Sequence, residues 1–278
     1  MQHKLKVREK LCKTALSKTA VSSYDFTINP YTGCEHSCSY CYANFMRRFS
    51  GHLQDAWGTF VDVKVNLLDV LSRELPKRTG GVIWLSSVCD PYQPLERKYR
   101  LTRGAIELIL GYRKFSLSIL TKNALVLRDL DLLKRMNHRV DVGFTITTFN
   151  GNAQLFFEPH SSPVQERIAA LGRLSGEGID TWVFVAPMLP LVTEQGLEQG
   201  LRQLSEVHVK RLLTDRYNAR GMIIKQTLQA YEKWRPGLNL EEVWRLLWNG
   251  DDYYRQLDRK IARAWKALDH SAAHEAVF

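Results

Sequence analysis

The stretch Asn29-Pro30-Tyr31-Thr32-Gly33-Cys34-Glu35-His36-Ser37-Cys38-Ser39-Tyr40-Cys41-Tyr42-Ala43 places three cysteines within eight residues, at the spacing C-x3-C-x2-C. Three thiolates on one short loop can converge on a metal centre, and soft sulfur donors select zinc or iron–sulfur clusters over hard cations. A structural zinc site takes four closed ligands, so zinc here would need His36 or a distant residue as the fourth. Familiar zinc spacings carry a second cysteine pair further on, and this chain has none. A four-iron cluster held by three cysteines leaves one iron without a protein ligand, and an open position is where chemistry happens. The iron–sulfur reading is therefore preferred, with zinc as its competitor.

The surrounding composition is that of an ordinary globular protein. The chain has 278 residues, 45% hydrophobic and 24% charged, which excludes collagen-like, disordered and mucin-like classes. The longest apolar stretches, such as Trp182 to Val192, contain Pro187 and Pro190 and fall short of a membrane span. The first 25 residues are polar and basic without an apolar signal region, so a cytoplasmic location is expected. Five cysteines, an odd number in such a chain, argue for reduced thiols rather than a disulfide framework. Lys and Arg outnumber Asp and Glu by 39 to 29, a net charge of +10 that favours acidic partners such as nucleic acid or phosphorylated ligands. Basic residues cluster at Lys4 to Lys13, Arg47-Arg48, Arg97 to Arg103 and Lys210 to Arg220. The basic segment Asp251 to Asp269 reads as a solvated helix face.

Beyond the cysteine loop, short β-branched runs alternate with amphipathic segments, the pattern of parallel βα units. Strands are predicted at Phe26–Asn29, Val82–Val88, Ser116–Thr121, Val140–Thr147, Thr181–Ala186 and Val209–Leu213. Helices are predicted near Ser39–Phe49, Val65–Glu74, Arg103–Gly111, Val126–Met136, Pro163–Leu174, Glu194–Leu204 and Tyr217–Trp234. Six strands with helical crossovers imply an α/β fold, a partial (β/α)6 TIM-type barrel. The expected organisation is a basic segment at 1–24, a barrel core at 25–215, and C-terminal helices at 216–278 packed on the core. Trp234, Trp244, Trp248 and Trp265 read as core packing. In parallel α/β barrels, functional groups collect at the C-terminal ends of strands, and the cysteine loop follows the first of them. Gly33, lacking a Cβ, would let the backbone approach a cluster closely, or simply make a turn.

With Tyr40 as its aromatic, C-x3-C-x-aromatic-C resembles the signature of the radical S-adenosylmethionine (SAM) enzymes, whose core is also a partial barrel. The resemblance implies a 4Fe-4S cluster on Cys34, Cys38 and Cys41, with the fourth iron binding the amino and carboxylate groups of SAM. It also implies one-electron cleavage of SAM to a 5′-deoxyadenosyl radical that abstracts hydrogen from a substrate, and a reductant protein such as a flavodoxin or ferredoxin. The stretches Ser86 to Glu96, Thr121-Lys122-Asn123, Thr145 to Thr148, Ala186 to Pro190 and Leu127 to Leu133 extend the similarity over roughly 24–215. With Glu158-Pro159 and Arg167, they resemble the spore photolyase-like group, which implies a nucleic-acid substrate. Other readings are a radical SAM enzyme acting on a protein or small metabolite, and a non-catalytic zinc or iron–sulfur nucleic-acid-binding module.

SAM carries a carboxylate, a ribose diol and an adenine, so its site needs a cation, hydroxyl partners and an apolar slot. The resemblance implies Lys122 for the carboxylate; the candidates for the remaining groups are Ser87 and Thr147 for the amino-acid moiety and ribose, Tyr40 beside the adenine, and Met188 for the pocket lining. Cys89 and Tyr42 are the candidates for catalytic hydrogen transfer. The spore photolyase thiol is expected earlier in its segment, where this chain has Ser87. Asp90 and Glu158 are also expected to cap helices, and His160 is the histidine to watch near Glu158. The sequence sets no oligomeric state.

Overall fold

The computed structural model describes residues 5–219, 222–268 and 273–278. Lys4, Arg220 and Asp269, ends of the basic segments named above, lie outside the described residues. In chain order the strands are β1 (Lys6–Lys10), β2 (Ser17–Lys18), β3 (Phe26–Ile28), β4 (Tyr31–Thr32), β5 (Phe60–Lys64) and β6 (Gly81–Leu85). They continue with β7 (Phe115–Thr121), β8 (Val140–Thr145), β9 (Asp180–Met188), β10 (Arg211–Arg216) and β11 (Ala273–Ala276). The chain divides into two compact units: Met1–Ser37, Ala43–Gly143 and Gly176–Asp180 form one; Cys38–Tyr42, Phe144–Ser175 and Thr181–Phe278 form the other. The cysteine loop and strand β8 each pass from one unit to the other.

In the first unit, β2, β3, β6, β7 and the start of β8 follow one another in the sheet. β3 pairs parallel with β6 and β6 with β7, while β2 joins β3 antiparallel. The register sets Phe26 beside Ile83 and Ile83 beside Leu117, and all three are buried. Full burial of each such side chain is worth about 1.5–3 kcal/mol. Ile28, Leu85 and Ile119 form the next buried row. Parallel strands covered on both faces read as continuous apolar runs, which is why these three were legible. A second sheet, β1-β5-β4, was not expected. β1 is the charged run Lys-Val-Arg-Glu-Lys, largely exposed, and its partner β5 lies some fifty residues away. Charge and distance together hide such a pairing.

In the second unit, the end of β8, then β9, β10 and β11 follow in order, with β9–β10 and β10–β11 parallel. Val183 and Leu212 are register partners at its buried centre. Helices Val164–Gly176, Leu197–Glu206, Met222–Trp234, Leu240–Asn249 and Asp251–Leu268 belong to this unit. Helix Asp251–Leu268 buries Tyr254, Leu257, Ile261 and Trp265, a stripe at helical spacing, and turns its charged face outward. The fold is α/β, and all six predicted strands are present as β3, β6, β7, β8, β9 and β10.

Two local expectations are corrected. The helix expected at Ser39–Phe49 is a 3-10 turn, Tyr42–Met46, followed by one α-turn, Arg47–Ser50. Neither segment has a side-chain cap, and Phe45 and Phe49 are exposed, so nothing rewards a longer helix there. Trp265 is buried and Trp234 packs edge-on against Phe157 and Tyr231, but Trp244 and Trp248 are 42% and 50% exposed and stack on each other. Helix Leu240–Asn249 buries Val243 and Leu247, and the tryptophans sit one position round from them. Among the described residues, no helix is long and apolar enough to cross a membrane.

Gly33 has φ +90°, and a Cβ there would lie 2.3 Å from the carbonyl oxygen of Phe60. Its missing side chain admits the close approach of β5. Gly33→Ala is expected to cost more than about 2 kcal/mol, from strain and the enforced backbone shift. Gly151→Ala, where a Cβ meets nothing within 4 Å, should change stability by less than about 1 kcal/mol. Urea unfolding of both variants checks the contrast, and equal losses would show that the Phe60 contact does not decide it.

Candidate active site

The loop that carries the cysteines is held by side chains from the segment after β6. Gln93 is fully buried; its Oε1 accepts from the Glu35 amide at 3.0 Å, and its Nε2 donates to the Gly33 carbonyl at 3.3 Å. Glu35 Oε1 in turn accepts from the Leu95 amide at 2.6 Å. Ser37 turns the loop in the left-handed region, φ 53°, with its hydroxyl on the Trp57 carbonyl at 3.3 Å. Cys34 and Cys38 are buried and Cys41 is half-buried, and the Cys41 amide closes a turn on the Cys38 carbonyl at 3.2 Å. His36 is buried too. Its Nδ1 faces Asp90 Oδ2 at 3.3 Å, close enough for charge attraction but poorly aligned for a hydrogen bond, and its Nε2 lies 3.3 Å from Asn123 Nδ2.

Further strand ends of the first unit bring in Ser87, Cys89, Asp90 and Lys122. Asn29, just past β3, accepts from the amides of Ser87 and Val88 at 2.9 and 3.0 Å and donates to Ser87 Oγ at 3.1 Å. Ser86 takes φ 71°, a conformation uncommon outside glycine that is held here by its amide on the Ile28 carbonyl at 2.8 Å. Asp90 accepts from Thr121 Oγ1 at 2.7 Å and from the amides of Tyr92 and Lys122, both at 2.8 Å. It does not cap a helix; it ties the loop after β6 to the end of β7. Burial raises its pKa, but His36, Thr121 and the Lys122 amide outweigh that and bring it down to about 2. Cys89 is half-buried beside Ser86 Oγ at 3.5 Å, and burial pushes its thiol up to about 11.

The second unit gathers a buried polar set beneath Tyr40. The Tyr40 hydroxyl donates to Glu158 and lies 2.9 Å from Thr147 Oγ1. Thr147 Oγ1 is also 3.0 Å from the Ala186 carbonyl. Glu158 pairs with Arg167, whose other nitrogens donate to the carbonyls of Thr145 and Ser162, each at 2.8 Å. All four side chains are buried. Burial first, then the Glu158 charge, holds the Tyr40 hydroxyl well above its ordinary pKa. Glu158 ends helix Gly151–Phe157 and caps no N-terminus. The Ser39 amide donates to the Phe157 carbonyl at 2.9 Å, and Thr227 Oγ1 donates to the Ser39 carbonyl at 3.2 Å. Met188 is buried at the end of β9, whereas Tyr42 stands exposed on the 3-10 turn. His160 is exposed.

The donor set fits an iron–sulfur cluster better than zinc. His36, the one histidine inside the loop, has its ring nitrogens directed at Asp90 and Asn123. Among the described residues, no group of three or more His, Cys, Asp or Glu is arranged to grip a single metal ion. The model for the Radical SAM superfamily matches residues 28–204. The chain belongs to the radical SAM superfamily. Superfamily membership implies SAM and a 4Fe-4S cluster.

The chain is 38% identical over 190 residues to an uncharacterised protein of Methanocaldococcus jannaschii, covering 68% of this chain and 70% of that one. It is 35% identical over 207 residues to an uncharacterised protein of Mycobacterium tuberculosis, covering 71% of this chain and 61% of the relative. Its fold is that of spore photoproduct lyase complexed with dinucleoside spore photoproduct, at a TM-score of 0.74 and 20% identity. That match covers 96% of this radical SAM chain and 81% of the lyase, and it makes the α/β fold a partial barrel with C-terminal helices.

Asn29, Gln93 and Glu35 were not singled out from the sequence, where amides and a lone carboxylate on loops look merely solvated. Only Asn29-Pro30 beside the cysteines was a signal, since Asn before Pro marks a turn. Two tests follow from the geometry. Asp90, with a lowered pKa, contributes stability above the ordinary carboxylate range, and that stability is lost as pH falls from about 4 towards 2. Asp90→Asn should therefore cost about 2 kcal/mol at pH 7 and flatten the acid limb of a urea-unfolding series. Alkylation of Cys89 by iodoacetamide, followed by mass spectrometry, should be slow at pH 8 and rise only towards pH 10–11, because only the thiolate reacts.

Proposed function

We propose that this protein is a radical SAM enzyme that cleaves SAM reductively and abstracts hydrogen from a nucleic-acid or nucleotide substrate. The observation that carries this reading is the C-x3-C-x-aromatic-C loop, Cys34 to Cys41, within the superfamily match over 28–204. When bound, a 4Fe-4S cluster supplies the electron that breaks a carbon–sulfur bond of SAM and so starts hydrogen abstraction. Cys34, Cys38 and Cys41 would hold that cluster, on a backbone kept in shape by Gln93, Glu35 and Ser37. Lys122 would pair with the SAM carboxylate, Ser87 would bond its amino-acid moiety, and Met188 would line the adenine slot. Tyr40, kept protonated by burial over Glu158, would present its ring with Thr147 fixing its tilt. Cys89 would return a hydrogen atom: a donor must keep its S–H bond, and a thiol raised to about 11 does so throughout the neutral range. Tyr42 would be the exposed partner in that exchange. The nucleic-acid class is supported by the net charge of +10 and by the dinucleoside held on the same fold in spore photoproduct lyase. A reduced flavodoxin or ferredoxin would supply the electron in the cell.

The test is release of 5′-deoxyadenosine from anaerobically reconstituted, dithionite-reduced protein given SAM. Wild type is expected to release it, faster with single-stranded DNA added, and the Cys34→Ala/Cys38→Ala/Cys41→Ala variant to release none. Each single cysteine variant should lose the brown chromophore while keeping its circular dichroism. A full iron complement in any of them removes that ligand. Lys122→Ala should weaken SAM binding about tenfold with iron content unchanged. Faster release with a peptide than with DNA would move the substrate to another class. No release from protein with verified four-iron loading, with or without DNA, would overturn the enzyme reading.

A further inference from the structure

Helices Leu197–Glu206 and Asp251–Leu268 of the second unit enclose a surface groove of about 660 Å³. Arg202, Arg259, Lys260 and Arg263 line it, against the single carboxylate of Glu198, and Ala264 and Ala267 give it a low wall. The positions 259, 260 and 263 fall on one helical face, so like charges are stacked three and four residues apart, where they repel. Elsewhere on the same helix polar groups have partners: Arg255 pairs with Asp252 at 2.7 Å, and Asp258 lies 3.0 Å from His274. Among the described residues, none of the four groove cations has a carboxylate within salt-bridge distance, and all four are exposed. Lys260 feels Glu194 only as a more distant charge. A merely solvated helix face, as the sequence suggests here, scatters its charges; here four cations with no salt-bridge partner gather in one concavity against a single carboxylate.

We propose that this groove binds the phosphodiester backbone of a nucleic acid, as a holding site on the outer helices separate from the cysteine loop. It deepens the nucleic-acid reading given above and rests on it for the choice of partner. Three of the four cations are arginines, whose planar fork matches two phosphate oxygens at once, where a lysine offers a point charge. The concavity suits a ridge of phosphates, and the small alanines let such a ridge sink between the helices. Contacts of this kind position a strand without reading its sequence.

Fluorescence anisotropy with labelled single-stranded and duplex DNA of mixed sequence, at several salt concentrations, tests the proposal on the full chain as purified. Arg259→Glu/Arg263→Glu should weaken binding at least tenfold and lower the slope of log affinity against log salt by about two, one per lost phosphate contact. Arg259→Lys/Arg263→Lys should keep most of that slope. Arg113→Glu/Arg135→Glu, at exposed positions outside the groove, carries the same change of net charge and should change both quantities by far less. Equal losses in the groove and control variants, or no loss in either, would overturn the site. Competition by polyglutamate as strong as by DNA at equal charge would overturn the phosphodiester assignment in favour of an acidic protein. SAM cleavage without DNA should be unchanged in the groove variants. Failure of SAM cleavage with groove binding intact would count against the enzyme reading alone.

Discussion

A carboxylate taken out of water must be given a partner, and the strand ends of this protein are organised around four that are. Asp90, Glu96, Asp129 and Glu158 are all buried. An unpaired charge there would cost several kcal/mol, so each carboxylate dictates what stands beside it. Asp90 draws in His36, Thr121 and the Lys122 amide. Glu96 takes Tyr31 and Arg128, the latter at 2.8 Å, and Asp129 takes Arg103 at 3.0 Å as well as Arg128 at 2.7 Å. Glu158 takes Arg167, Tyr40 and Thr147. Because Asp90, Glu96 and Glu158 each draw partners from more than one segment, satisfying the charge also sets those segments.

The same logic explains how the candidate site divides its labour. The cysteine loop is gripped by neutral amide contacts from Gln93 and by the Glu35 carboxylate on the Leu95 amide. Arg128, which sits in the stretch Leu127 to Leu133, donates to the main chain and side chain of Glu96 and so holds the start of the helical turn after the Gln93 segment. Burial has a further chemical effect. It raises the Cys89 thiol and the Tyr40 hydroxyl, which keeps both protonated throughout the neutral range.

The outer helices show the complementary case, in which charge is left uncompensated on purpose or by neglect. Helix Asp251–Leu268 anchors through the buried stripe Tyr254, Leu257, Ile261 and Trp265, with Tyr253 and Asp258 adding hydrogen bonds to Leu191 and Thr214. Its outward face is therefore free to carry Arg259, Lys260 and Arg263 without threatening the fold. Trp244 and Trp248 are equally uninvolved in the core, held by stacking on each other with centroids 6.0 Å apart.

Much of this was legible in the residues. The C-x3-C-x2-C spacing pointed to a cluster because thiol chemistry depends on local spacing, and six strands were read because buried parallel strands are continuous apolar runs. The charged strand β1 and the short helical turns after Tyr42 were not, since their states depend on a partner fifty residues away and on missing caps. Gly33 read as a turn or as an approach to a cluster, and its contact with Phe60 of β5 appears only in the fold. Arg167 and Glu158 were read only as marks of the resemblance, and their pairing appears only where burial joins them. By itself the sequence determined the family, the ligand set it implies and the order of the βα units, all properties of local pattern. Which polar groups are buried together, which cations remain bare and which thiol stays protonated were decided by the tertiary structure, because solvent exclusion and pairing exist only once distant segments meet.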